Sequence, residues 1–247
     1  MYESMISETI SLKGYNGDDI LAYYARPAGR GPFPGVVILH HMPGWDEWTM
    51  EVARRFAHHG YATVAPYLFH RFGPPELMDD TIAKVRGGGG VPDAMVIGDA
   101  EGSARFLKAQ PNGTGKIGLI GFCSGGRQTA LVACNSKEFG AAVDCWGGRV
   151  VAPPDTLTPA QPKAVLDMTP DLACPLLGIF GNDDQAPSPP QVDQHEAALK
   201  AAGKTYEFHR YDGAGHGFFA WDRPNYRQAQ SVEAWTHVWA WYAKYLS

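Results

Sequence analysis

The group in this chain best suited to covalent chemistry is a thiol. Cys123 lies in Gly121-Phe122-Cys123-Ser124-Gly125-Gly126, directly after the apolar run Lys116 to Gly121 and before the helix-forming stretch Arg127-Gln128-Thr129-Ala130-Leu131-Val132-Ala133. A nucleophile on a tight strand-to-helix turn is held in a strained backbone conformation, and small residues two positions to either side leave room for it. Gly121 and Gly125 meet that need. The turn also puts Cys123 at a helix N-terminus, where the dipole favours a thiolate and backbone N–H groups face a developing oxyanion. Ser124 is one residue off the centre between the glycines, so it is expected to contribute its N–H to that oxyanion hole and not its hydroxyl. A thiol with an ordinary pKa of about 8.5 needs an adjacent imidazole, and the imidazole needs a carboxylate to orient it. Two segments supply them. Pro175 to Gly181 ends in Asn182-Asp183-Asp184-Gln185-Ala186-Pro187, and Thr205 to Tyr211 ends in Asp212-Gly213-Ala214-Gly215-His216-Gly217-Phe218-Phe219.

The elements that must position these groups are legible as alternating patterns. Ile6 to Leu12 and Ile20 to Ala25 read as a hairpin about the turn Gly14 to Asp19. Pro34 to His40 is a continuous aliphatic run, as expected of a strand buried on both faces of a parallel sheet. Trp48 to His59 has helical spacing and stops at Gly60 before the short strand Tyr61 to Pro66. Residues 96–110 read as a helix, Gly140 to Trp146 as a strand, Gln191 to Ala202 and Gln228 to Leu246 as helices. Such alternation implies a single α/β domain over 1–247, a mostly parallel central sheet with helices on both faces and its chemistry at the C-terminal strand ends. Two long loops, Pro66 to Met95 and Gly148 to Thr169, interrupt the rhythm and are candidates to cover the site. The order Cys123, Asp184, His216 is the nucleophile, acid, base order of α/β-hydrolases, with Asp183 the competitor for the acid's place.

Composition excludes several other classes. With 21 Lys+Arg against 26 Asp+Glu and no run of either sign, there is no nucleic-acid footprint. No stretch approaches the ~20 apolar residues of a membrane span, and residues 1–11 lack a signal-peptide pattern, so a cytoplasmic protein is expected. The cysteines at 123, 134, 145 and 174 show no CxxC pair. The last three lie in apolar stretches, where a free cysteine behaves as a small buried hydrophobe. His58 and His59 lack ligand-spaced partners, so no metal is expected.

The segments VVILHHMPGW, GYATVAPYLF, GFCSGG, GNDDQAPSP and YDGAGHGFF together resemble the dienelactone hydrolase (carboxymethylenebutenolidase) family. The resemblance implies hydrolysis of a small lactone or ester through a thioester acyl-enzyme, without a cofactor, by Cys123, Asp184 and His216. It favours Asp184 over Asp183, and N–H groups of Ser124 and Met42 as the oxyanion hole. Type members of the family carry a glutamate near the resting cysteine where this chain has His41, and an arginine four residues after the catalytic histidine where it has Ala220. His41 is therefore a candidate modulator of the thiol, stabilising the thiolate when protonated. Arg71, Arg86 and Arg223 are candidates for an anionic substrate, with Trp146 and Phe218 among candidate pocket walls. The expected partner is a small molecule, with neither nucleic acid nor membrane, on a monomer or homodimer. The competing expectation is a non-hydrolytic homologue that binds a ligand or uses Cys123 as a redox sensor.

Overall fold

Strands that are apolar on both faces need cover on both sides, and the chain supplies it by returning through a helix after most of them. The computed structural model describes residues 1–247. It runs through β1 (Met5–Lys13), β2 (Asp19–Pro27), β3 (Phe33–Leu39), α1 (Glu47–His58), β4 (Ala62–Pro66), α2 (Met78–Gly87) and α3 (Asp93–Lys108). It continues through β5 (Gly113–Phe122), α4 (Ser124–Asn135), β6 (Ala141–Cys145), β7 (Leu176–Gly181), α5 (Pro189–Ala201), β8 (Tyr206–Tyr211) and α6 (Gln228–Leu246). The strands form one sheet in the order β1-β2-β4-β3-β5-β6-β7-β8. β1 and β2 pair antiparallel, as does β2 with β4, and all other pairs are parallel.

Register decides where the chemistry can be. Leu39 pairs with Gly121, Phe122 with Cys145, Cys145 with Ile179 and Gly181 with Tyr211. The C-terminal ends of β3, β5, β6, β7 and β8 therefore lie along one edge, and the segments that follow them gather there.

Local chemistry sets the helix ends. The Asp46 side chain accepts from the Thr49 N–H at 2.9 Å and caps α1, while Ser188 and Gln191 form a capping box on α5. α6 buries Ser231, Ala234, Trp235, Val238, Trp241, Tyr242 and Leu246, the spacing of one helical face. It seats closely because Gly118 has no side chain: a Cβ there would lie 2.5 Å from the Tyr242 ring. The Tyr242 hydroxyl donates to Leu119 O at 2.8 Å, so its one buried polar atom is satisfied.

The expected loop Pro66 to Met95 is a correction. It contains α2, preceded by a 3-10 turn at Pro75–Leu77. Thr81 and Val85 of α2 are buried and Met78 and Ile82 half-buried against the core, so its apolar stripe of Met78, Ile82 and Val85 spans barely two turns and is inconspicuous in sequence. Its signals were at its ends: Asp79 and Asp80 in the first turn, Lys84 and Arg86 in the last, glycines beyond. Arg71 is a second correction. Its guanidinium is bound to Asp99 at 2.9 and 3.1 Å, to Asp18 at 2.8 Å and to Tyr15 O at 3.2 Å. Asp99 is fully buried, and Arg71 offsets its charge while tying the β1–β2 turn to α3.

Candidate functional site

Cys123 stands between β5 and α4 with φ 57° and ψ −117°, the left-handed side of backbone space that costs an ordinary residue roughly 1–3 kcal/mol. The surroundings enforce it. A Cβ on Gly121 would lie 2.0 Å from Gly125 O, and one on Gly125 would lie 2.1 Å from Leu39 O. The Cys123 N–H donates to Cys145 O at 3.0 Å, which pins the turn to the end of β6.

His216 and Asp184 reach the thiol from the segments after β8 and β7. Those segments are sewn together: the Asp183 N–H donates to Ala214 O at 2.9 Å, and the Asn182 side chain donates to Asp212 at 2.6 Å. Asp184 is 3 % exposed. One of its oxygens accepts the Ala186 N–H at 2.9 Å and the other lies 2.8 Å from His216 Nδ1. That contact fixes Nδ1 as the protonated nitrogen and leaves Nε2 for Cys123. The neighbouring Asp183 is exposed and does not touch the imidazole. Asn225 donates to His216 O and steadies the loop from the far side.

Electrostatics favour an ion pair. Burial by itself pushes the Cys123 thiol up. The hydrogen bond and charge of His216, joined by the N–H groups of Ser124 and Met42, outweigh it and hold the thiol below its ordinary value. Burial likewise pulls His216 down, but its hydrogen bonds and charge interactions with Asp184 and Cys123 raise it to about 10. The N–H groups of Ser124 and Met42 that meet the sulfur are the pair expected to meet an oxyanion.

A cavity of about 100 Å³ opens over Cys123 and His216, walled by His41, Pro43, Trp48, Trp146, Ala220 and Arg223 among others. A second, of about 270 Å³, lies beyond the Met42 and Ser124 N–H pair and presents Arg86, Arg127 and Arg149 with Gly89, Gly90, Thr158 and Gln161. Both long segments of the sequence contribute to it.

The expected residues divide accordingly. Trp146, with φ 43°, is 1 % exposed and lines the smaller cavity. Phe218 does not: it is fully buried behind Trp146, ring centroids 5.2 Å apart, and is core. His41 lines the cavity, yet its Nε2 lies 2.7 Å from Asp46, and Arg223 donates to the same Asp46 oxygen at 3.1 Å. The His41 imidazole thus bonds the carboxylate that caps α1 while lining the cavity over Cys123. Burial raises the Asp46 carboxyl, but His41 and Thr49 overcome that and lower it to about 2. Arg86 is exposed at the end of α2 and pairs with no carboxylate.

Sequence reasoning missed several contributors. Asp46 was findable from its spacing to Thr49, an N-cap signature. Arg127 gave no local signal: it is 3 % exposed and bound through both Nη atoms to Asp93, at 2.7 and 3.2 Å, a pairing across α3 and α4. His40, 1 % exposed, was not singled out either. Burial pulls it to about 4, so its ring is neutral, with Nε2 accepting the Leu68 N–H at 3.1 Å and Nδ1 bonding His41 O at 2.8 Å. Glu207, His209 and His237 bring ligand atoms within 4.8 Å of one another. The two imidazoles stack face to face with centroids 3.5 Å apart, so their lone pairs do not converge on one ion. No helix is long and apolar enough to cross a membrane.

Known proteins share this architecture. The dienelactone hydrolase family matches residues 20–246. A protein described as "Putative carboxymethylenebutenolidase" from Methylorubrum extorquens is 35 % identical across 92 % of this chain and 77 % of its own length. One so described from Salmonella typhimurium is 34 % identical across 98 % and 89 %. The crystal structure of a "Putative Dienelactone Hydrolase" from Klebsiella pneumoniae superposes with a TM-score of 0.89 at 30 % identity, covering 98 % of this chain and all of that one. With the α/β-hydrolase sheet and a family match over nearly its whole length, the chain belongs to the dienelactone hydrolase family of carboxylic-ester hydrolases.

Proposed function

We propose that this enzyme hydrolyses a lactone or small ester through a thioester on Cys123, with His216 as acid and base and Asp184 as the group that orients it. The carrying observation is one arrangement: a thiol on a strained turn, sharing a cavity with an imidazole that is itself held at 2.8 Å by a buried carboxylate.

The proposed cycle gives each of these groups one role. The Cys123 thiolate attacks the ester carbonyl, an S–C bond forms, and the Ser124 and Met42 N–H groups hold the resulting oxyanion. The tetrahedral adduct collapses, the C–O bond breaks, and the leaving alkoxide takes the proton from His216 Nε2. A lactone alkoxide stays tethered to the acyl group. Water then gives a proton to His216 and attacks the thioester, and the carboxylic acid leaves as the thiolate re-forms. Asp184 stabilises the imidazolium at each stage.

The substrate is proposed to carry a carboxylate. Relatives described as carboxymethylenebutenolidases support this, as do the unpaired Arg86 in the larger cavity and Arg223 in the smaller one. Turnover of p-nitrophenyl acetate, with mass spectrometry of the quenched enzyme, tests the chemistry. An acyl adduct on Cys123 is expected, with activity abolished in Cys123→Ala and His216→Ala. Undiminished turnover in Cys123→Ala would refute the thioester and leave a binding or redox role for the thiol. A screen of lactones with and without a carboxylate tests the substrate class, and equal kcat/KM for the two sets would refute it.

A further inference from the structure

The carboxyl of Asp144 is fully buried at the end of β6, directly behind the nucleophile turn, and the cycle above does not use it. One oxygen accepts the Gly147 N–H at 2.8 Å. The other has no hydrogen-bond partner. A buried carboxyl with an orphaned oxygen costs stability, so its retention calls for a return elsewhere.

The geometry around it supplies one. A Cβ on Gly126 or on Gly147 would lie 2.4 Å from the bonded oxygen of Asp144, so the carboxyl is wedged between the first turn of α4 and the turn after β6. Gly147 in turn packs on α4: a Cβ there would lie 2.5 Å from Arg127 N. Between these contacts stands Trp146 at φ 43°, a conformation a bulky residue rarely adopts unless its neighbours impose it. Its N–H reaches Ile179 O at 2.8 Å, its ring walls the cavity over Cys123, and its centroid is 6.5 Å from that of His216.

We propose that Asp144 is a positioning residue: its carboxyl clamps the Trp146–Gly147 turn onto the first turn of α4 and so fixes the wall that faces Cys123. This rests on the nucleophile reading above and adds the part that shapes the pocket for the acyl group.

The clamp works as a neutral acid. No cation offsets its charge. The facing strands, Ile117 to Phe122 and Leu176 to Gly181, carry no titratable side chain. On α4 the Arg127 guanidinium is committed to Asp93. On α5, His195, which lines a small void with Gly147, is held neutral by burial. The Cys145 thiol on β6 itself is pushed well above its ordinary range by burial, then by Asp144. Burial therefore raises the Asp144 carboxyl to about 7, against the smaller opposing effect of the Gly147 N–H. Ionisation leaves an unpaired charge behind the turn and loosens the clamp.

The test uses the full chain and p-nitrophenyl acetate, comparing Asp144→Asn, which keeps an acceptor for the Gly147 N–H and cannot ionise, with Asp144→Ala, which has none. Asn is expected within about threefold of the parent kcat/KM at pH 6, and Ala at least tenfold lower with an unchanged Cys123 thiolate absorbance. The parent is expected to lose activity above pH 7, and Asn to hold its rate to higher pH. Ala as active as the parent, or Asn as impaired as Ala, overturns the proposal. If Ala does not fold, the Asn profile decides, and an alkaline limb identical to the parent's overturns it. Cys123→Ala run in parallel reports on the nucleophile separately, because its full activity would defeat that reading whatever the Asp144 variants do.

Discussion

The strongest consequence of the site's electrostatics concerns His216→Gln. In the parent, His216 is raised to about 10 and is protonated at pH 7, and its hydrogen bond and charge in turn act to lower the Cys123 thiol. Glutamine removes the partner that supplies both the hydrogen bond and the charge. What remains is burial, the largest single influence on the thiol, which acts upward, together with the N–H groups of Ser124 and Met42, which act downward. A thiol returned to its ordinary value of about 8.5 sits about 1.5 units above pH 7, where about 3 % is ionised. The thiolate's ultraviolet absorbance, measured as the difference from Cys123→Ala, should therefore fall at pH 7 to a few per cent of its fully ionised value and recover only at higher pH. Absorbance is the right readout because it reports ionisation directly. Alkylation rates would show a smaller drop, since a thiolate of higher pKa is intrinsically more nucleophilic. The linkage sign is consistent: the pair persists downward in pH until the lowered thiol protonates, and upward until His216 deprotonates at about 10. A variant that keeps most of the parent absorbance at pH 7 would refute the ion pair.

Four further outcomes follow from the same coordinates. Asp184→Asn should cut kcat roughly 10²- to 10⁴-fold while Asp183→Asn stays near the parent, because only Asp184 touches His216; similar kcat losses in steady-state assays of both would contradict this. Gly125→Ala should destabilise by about 3 kcal/mol or yield insoluble protein, since its methyl would meet Leu39 O at 2.1 Å, and an unchanged melting temperature would be the wrong result. Asp46→Ala should cost about 1 kcal/mol through the lost α1 cap, measured by urea unfolding, with little change in the Cys123 thiolate absorbance if His41 serves the cap and not the thiol. Asp144, raised from 3.8 to about 7, weakens the fold as pH rises through that interval and keeps the penalty above it. Asp144→Asn should gain on the parent between pH 5 and pH 8 by about 3 kcal/mol in urea unfolding, and a pH-independent difference would contradict the burial argument.

The elements nearest the chemistry were the most legible. β5, the turn at Cys123 and α4 announce themselves through an aliphatic run, paired glycines and a helix-forming stretch, because each constraint is local. α6 was readable for the same reason, its buried residues repeating at helical spacing. α2 was not, since its apolar stripe is only Met78, Ile82 and Val85, barely two turns among proline, glycine and charged residues. Arg71 and Phe218 looked available for substrate because loop arginines and aromatics often are, yet one neutralises Asp99 and the other backs Trp146. Contacts made 28 residues apart in sequence, as between Arg71 and Asp99, leave no mark on the local pattern.

The thiol with its flanking glycines, and the order in which acid and base follow it, could be read along the chain, because tight turns and strand ends depend on neighbouring residues. Tertiary structure alone placed the Asp184 carboxylate against His216, gave His41 to Asp46, and wedged the Asp144 carboxyl behind the nucleophile turn. Those choices turn on a few ångströms between segments that only the register of the sheet brings together.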